Sequence, residues 1–435
     1  LKRIVLASAC VLLLGLGLGG CHLRPLLYDV VISPNLISPN ADGSDDATNI
    51  EYKLSRNAHL SIYFENAVGE RFYFRQDRPR SAGEYRVQWG GTINQPYWLE
   101  NEYGRQLVMS WVLPDGAYTW VVEATDEDGG VQQVQGQISL AGGDAVVPEL
   151  RKFTIALPVF TPNQDGLNDR TGVSYYLTRD VDNVQVYLHA PENPDIRYPL
   201  EEQAQAVKAG EEGYHYYDYD GGVDRGADPP ADGSYVVQAV ARDLAGHHVV
   251  VSDTLTIKDG GKPRALVVNG TIHWGGAIRS LEGTEIYMPL GATLCFTTYV
   301  ENYSRVPIRT SGPPSGTQYR GDQNYNTLAL ELVDDSFHEQ PGAWRFGVNL
   351  DVSQSDFPYR WAVGRPDELR CELIEGHEQC FLDPGQRGTV TGCIEMVGPF
   401  PRNEIFAWGG LIHQWVGVNA ENNYVDRVLI HIGEP

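Results

Sequence analysis

Ile37-Ser-Pro-Asn-Ala-Asp-Gly-Ser-Asp-Asp46 recurs as Phe160-Thr-Pro-Asn-Gln-Asp-Gly-Leu-Asn-Asp169. Each copy is followed at the same distance by a similar stretch, Ile50-Glu-Tyr-Lys-Leu-Ser55 and Val173-Ser-Tyr-Tyr-Leu-Thr178, and then by Leu60-Ser-Ile-Tyr-Phe64 and Val184-Gln-Val-Tyr-Leu188. The match runs on through Trp89-Gly90-Gly91 and Tyr219-Asp220-Gly221 to Pro114-Asp115-Gly116-Ala117-Tyr118 and Ala231-Asp232-Gly233-Ser234-Tyr235. Self-similarity at this period means two homologous domains, placed at 28–143 and 150–258.

Short β-branched and aromatic runs between Gly, Pro, Asn and Asp, with almost no helical period, make the chain all-β. The Asp-Gly pairs supply turns in which glycine takes positive φ. Tyr118, Trp120, Val122 and Ala124 then put apolar side chains on one face of a long strand. Short strands with frequent turns over about 110 residues are the pattern of an immunoglobulin-like sandwich. In order and content the repeated motifs resemble the Ig-like domain of flagellar hook-capping proteins and of many bacterial surface proteins. The resemblance implies the fold, with a role as spacer or interaction module. The first copy carries an insertion, Thr92 to Ser110, with Tyr97, Trp98 and Tyr103. It is expected to fold over its own domain or to act as a contact loop.

Two Asp-Gly loops raise the question of calcium. Asn40, Asp42, Ser44 and Asp46 alternate somewhat as in an EF-hand loop, and Asn163, Asp165 and Asp169 repeat most of it. Neither loop has the bidentate Glu or the flanking helices. The other expectation is therefore tight turns with carboxylates capping backbone amides, and no cofactor.

Upstream, Lys2 and Arg3 precede an uncharged apolar run, Ile4 to Leu18, shorter than a membrane-spanning helix needs. This reads as a signal peptide, residues 1–20. Leu18-Gly19-Gly20-Cys21 resembles the lipobox of bacterial lipoproteins, which implies that Cys21 carries a diacylglycerol and that 21–27 form an anchor and tether. The expected location is extracytoplasmic, on an outer membrane or cell surface, with the membrane as a partner through the lipid. A net charge of −24 argues against nucleic acid as a partner.

Past Lys258-Asp-Gly-Gly-Lys262 the repeat motifs stop, and a third β-sandwich is expected over 263–435. Its four cysteines, in an exported chain, read as disulfides, with three connectivities open. The short spacing of Cys371 and Cys380 suits a hairpin or loop and leaves Cys295 with Cys393. The order of strands and tryptophans is weakly similar to the four-tryptophan class of Ig-like domains.

Ser304 to Thr327, rich in Pro, Gly, Tyr and Asn, reads as a long functional loop. Tyr319, Tyr325, Arg309, Arg320, Asp322 and Asn324 are the candidates there, together with Trp344, Trp361, Trp408 and Trp415. Aromatic faces flanked by hydrogen-bonding groups suit sugars, although at least two of the tryptophans are expected in the core. The sequence has no G-x-S-x-G, H-E-x-x-H or Walker loop, and the reading is of a non-enzyme. The leading expectation is a structural or adhesive envelope protein that binds envelope protein or itself. The alternative is a carbohydrate-binding surface lipoprotein.

Overall fold

The computed structural model describes residues 24–276, 279–281, 284–332, 340–418 and 420–433. The stretch read as a signal peptide, 1–20, and the proposed lipidation site Cys21 lie outside the described residues. The chain is all-β, with one α-helix among the described residues, Tyr325–Leu332, and three successive sandwiches.

In the first repeat a three-stranded sheet, Leu27–Ser33, Thr48–Leu54 and Gly83–Trp89, faces a five-stranded one. The latter runs Leu36–Ile37, Val131–Leu140, Gly116–Asp126, Ala58–Glu65 and Arg71–Arg80. Alternation decides which side chains meet between them. Tyr118, Trp120, Val122 and Ala124 all point inward and are buried with Ile50, Leu60 and Phe64. Phe64 stacks on Trp89 with ring centroids 3.6 Å apart.

The second repeat repeats this plan. Leu150–Ile155, Thr171–Leu177, Gly213–Tyr219 and Glu201–Glu202 form one sheet. The opposing sheet contains Asn193–Pro199, Asn183–Ala190, Gly233–Arg242 and His248–Ile257. It does not stop at the repeat's own residues. Its next strand is Gly104–Val112, contributed by the insertion in the first repeat, with His248 opposite Ser110, Val249 opposite Val108 and Val250 opposite Leu107. Of the two expectations the contact loop is the nearer: the insertion leaves Ile93 in its own domain's core and lends Gly104–Val112 to the neighbouring sheet. The buried positions of this strand are Gln106, Val108, Ser110 and Val112: Val108 is fully buried in the second repeat's core, while Gln106 and Ser110 donate to the carbonyls of Pro148 and Gly246.

In the third sandwich, called the head as a label only, Thr293–Asn302 and Arg387–Glu395 lead one sheet, while Trp344–Leu350, Glu404–His413 and Val425–Ile432 form the centre of the other. Both disulfides sit on paired strands. Cys295 faces Cys393 and Cys371 faces Cys380 in register, and each pair is bonded. The 304–327 stretch is not an irregular loop. It contributes strands Ile308–Thr310 and Gln318–Arg320 and leads into the Tyr325–Leu332 helix.

Candidate functional site

The two Asp-Gly loops have closely similar internal wiring. Asp46 accepts the main-chain N–H groups of Asn40, Ala41 and Gly43, and Asp42 accepts that of Ser44. In the second copy Asp169 accepts those of Asn163, Asp165 and Gly166, and Asp165 accepts that of Leu167. Donors thus converge on all four carboxylates proposed as calcium ligands, as in a self-capped turn. These bonds occupy both oxygens of Asp46 and Asp169 and one each of Asp42 and Asp165, whereas calcium requires oxygens converging on a common point.

The wiring extends into the joints. Asp115 accepts the N–H groups of Gly142 and Gly143 at 2.7 and 2.9 Å. Asp232 accepts those of Asp259 and Gly260, both at 2.9 Å. Asp144 N–H then bonds the carbonyl of Pro39, and Gly261 N–H bonds that of Pro162. The Gly-containing segments, which composition marks as places where the chain can bend, are tied down by carboxylates and carbonyls of the preceding unit.

Between the repeats, Gly246 (φ 108°) lies so close to Thr92 that a Cβ would collide with its hydroxyl. Lys152 N–H bonds the Tyr103 carbonyl at 3.1 Å, and Arg151 lies 4.4 Å from the Tyr103 ring. Trp98 is half exposed beneath Arg105, 3.8 Å away.

At the second joint the head sits on the loop of the second repeat. His413 Nε2 bonds the Gln164 carbonyl at 2.7 Å, and Arg309 Nε donates to the Asp165 carbonyl. Gly166 (φ 83°) packs so tightly on the Pro341 carbonyl that no side chain fits. Burial and the Asp169 charge push the Asp165 carboxyl up to about 7. Burial also pushes His413 down to about 4.

Most of the aromatic residues expected to form a binding surface lie in the interior. Tyr319, Trp344 and Trp361 are buried in one core, with Tyr325 half-buried against it, while Trp408 is buried in a separate cluster with Phe357 and Ile412. Tyr319 hydroxyl and Trp361 indole donate to the carbonyls of Arg360 and Thr317. Arg309 is consumed by the joint. Arg320 and Asp322 stay exposed and pair with each other, and Asn324 caps the helix by accepting the N–H groups of Asn326 and Thr327. Trp415 alone of the candidate tryptophans is exposed.

A different aromatic strip is open to solvent. Tyr214 and Tyr216 project from the outer face of Gly213–Tyr219, and Tyr176 from the neighbouring strand meets Tyr214 at 5.0 Å. Tyr214 and Tyr216 are each nearly half exposed. The signal was parity: in Gly213-Tyr-His-Tyr-Tyr-Asp-Tyr219 the odd positions from His215 onward face the core, so the intervening tyrosines face out.

No protein-family profile matches the chain, and no curated protein matches it. Several solved structures are distantly similar. One is a Ca2+-stabilized adhesin that helps an Antarctic bacterium bind ice, 13% identical over 93% of this chain and 72% of that one, with a TM-score of 0.24. Another is the tetra-tandem repeat in the extending region of a large adhesion protein, 11% identical over 93% and 73%, TM-score 0.18. A third is the Bacteroides ovatus SGBP-B in complex with a mixed-linkage heptasaccharide, 9% identical over 93% and 70%, TM-score 0.15. Likeness at this level has no bearing on function.

Proposed function

We propose that the chain is an extracytoplasmic structural or adhesive protein, anchored by lipid at Cys21, in which two repeats hold the head away from the membrane as a stiff spacer. The observation that supports this is the construction of the joints. The first repeat donates a strand to the second, the second inserts its Asp-Gly loop beneath the head, and both linkers are clasped by a carboxylate. Stiff joints preserve reach and orientation, which a spacer needs. In this reading the chain is not an enzyme, and its partners are envelope proteins. The test is capture from solubilised envelope with the intact mature chain, read by mass spectrometry. A defined protein partner supports the reading, whereas turnover of an envelope polymer by the purified chain would overturn it. Anchoring is tested separately, since Cys21→Ser should move the protein from the membrane to the soluble fraction.

A second reading, binding of surface polysaccharide, is favoured by the strip of exposed Tyr214 and Tyr216 with half-buried Tyr176 rather than by the head. Sugar rings stack on such faces while hydroxyls bond their edges. Glycan-array binding that disappears in Tyr214→Ala and Tyr216→Ala would support it.

A further inference from the structure

Besides the insertion, the two repeats differ at the edge of one sheet, and the difference leaves that edge open. In the second repeat, Gly213–Tyr219 is covered along its outer edge by Glu201–Glu202, with Glu201 opposite Asp218 and Glu202 opposite Tyr217. The cover continues in a 2.9 Å bond from Gln203 N–H to the Tyr216 carbonyl. The equivalent strand of the first repeat is Gly83–Trp89. Its pairing fixes the correspondence, because Thr48 faces Trp89 as Thr171 faces Tyr219, and Leu54 faces Gly83 as Leu177 faces Gly213. Arg86 and Gln88 thus stand where Tyr216 and Asp218 do. Among the described residues no strand covers them: Gly83–Trp89 is the last strand of its sheet.

The missing cover shows in the core. The inward-facing His215 and Tyr217 are buried, at 0% and 5% exposure, while their counterparts Tyr85 and Val87 are only half-buried. An exposed edge of this length carrying a partly open apolar face is a template for an added strand.

Charge indicates what that strand carries. Residues 71–86 hold Arg71, Arg75, Arg78, Arg80 and Arg86 against only Asp77 and Glu84, in a chain whose net charge is −24. Arg71 and Arg86 pair with Glu65 and Glu51, whereas Arg75, Arg78 and Arg80 have no carboxylate partner among the described residues. Arg80 lies over the Tyr85 ring at 5.9 Å and Arg75 over Phe74 at 5.2 Å, so both border the mouth between the two sheets. In the second repeat the covering segment brings carboxylates to this position: Glu202 bonds His215, the counterpart of Tyr85, and Glu201 pairs with Arg225. Two chains that each carry −24 repel, which disfavours a second copy as occupant.

We infer that Gly83–Trp89 is a strand-addition site for an extended acidic segment of a partner protein, paired antiparallel to Arg86 and Gln88 with its carboxylates toward Arg75 and Arg80. This rests on the adhesive reading above. The probe is a synthetic peptide of residues 198–206, the chain's own covering segment, added to the intact mature protein. Amide exchange at Arg86 and Gln88 should slow by about tenfold or more on saturation, since their N–H groups face the open edge. Gln88→Pro, which removes an outward N–H, should weaken binding by about tenfold, and lysine at both glutamates of the peptide by at least about threefold. The exchange measurement on the unaltered protein stands even if the proline variant fails to fold. Unchanged exchange at millimolar peptide, or binding indifferent to peptide charge, would overturn the inference. So would protection that grows with the protein's own concentration, which would make a second copy the occupant. Failure here with an envelope protein still captured by the intact chain removes this edge and not the adhesive reading.

Discussion

Arg309 Nε donates to the main-chain carbonyl of Asp165 at 2.5 Å, joining the head to the Asp-Gly loop of the second repeat. The contact is buried, and the same guanidinium also bonds Gln340, Gln379 and the Pro341 carbonyl. One side chain thus orders the head's contact loop and grips its neighbour. Truncation by Arg309→Ala leaves several buried acceptors without a donor, at a cost of roughly 2 kcal/mol or more. The expected result is a head that unfolds or detaches at lower urea while the first repeat is unaffected, followed by domain-resolved proteolysis.

Two groups at this joint titrate in opposite senses. The Asp165 carboxyl, pushed up to about 7, favours the docked state in its protonated form, so its contribution is lost as pH rises from about 4 to 7. His413, pushed down to about 4, is docked as the neutral ring, so its contribution is lost as pH falls from about 6.5 to 4. The wild-type joint should therefore be nearly insensitive to pH in the overlap. Asp165→Asn should make stability fall on acidification, and His413→Gln should make it rise, in urea titrations at pH 4.5 and 6.5. The same slope in both variants would refute this.

The carboxylate clasps predict stiffness in segments whose composition suggests the opposite. Asp115 reaches Gly142 and Gly143 from 27 and 28 residues away, and Asp232 reaches Asp259 and Gly260 at the same separations. Asp232→Ala should broaden the distribution of distances between spin labels on the second repeat and head, with little change in midpoint of unfolding. Asp115→Ala should be milder, because the strand shared through Gly104–Val112 still ties the two repeats.

For the Asp-Gly loops, the expected outcome of calcium addition or chelation is no change in the thermal midpoint. Their carboxylates already receive main-chain N–H groups. A rise that saturates with calcium and vanishes in Asp46→Asn or Asp169→Asn would show that the loops rearrange to bind the ion.

The sandwiches and the cysteine pairing were legible because they depend on local signals. Alternation in Tyr118 to Ala124 identifies a strand and its buried face, and the recurrence of Asn-x-Asp-Gly identifies two copies of one unit. The joints were not legible. Gly142 and Gly143 suggest freedom until Asp115, far away in sequence, supplies the acceptors. Gly104–Val112 reads as a strand whichever sheet it joins, with polar Gln106 and Ser110 on its buried face, so its partner is decided by the placement of whole domains. The open edge at Gly83–Trp89 becomes visible only when the structure shows a covering strand in one copy and, among the described residues, none in the other.

The disulfides should differ in weight. Cys295–Cys393 closes a separation of 98 residues and Cys371–Cys380 only 9. By chain entropy these correspond to about 5 and about 3 kcal/mol. Replacing Cys371 and Cys380 by serine should leave a folded head with a loosened hairpin, whereas replacing Cys295 and Cys393 should lower the urea midpoint further. Equal losses would show that the unfolded head retains contacts near Cys295.

Trp361 separates a core role from a ligand role for the head aromatics. It is fully buried, meets Phe296 and Tyr319 edge-on, and lies so close to Gly392 that a Cβ there would strike its ring. Trp361→Ala opens a cavity and should cost about 3–5 kcal/mol. Gly392→Ala attacks the same contact from the other side, by overpacking rather than by truncation. Both should lower head stability by urea titration, and any loss of glycan binding should follow unfolding instead of preceding it. A folded Trp361→Ala head that has lost only sugar binding would return the site to these aromatics. The exposed Tyr214 and Tyr216 should behave in the reverse manner, since neither is needed by the core and their removal costs little stability.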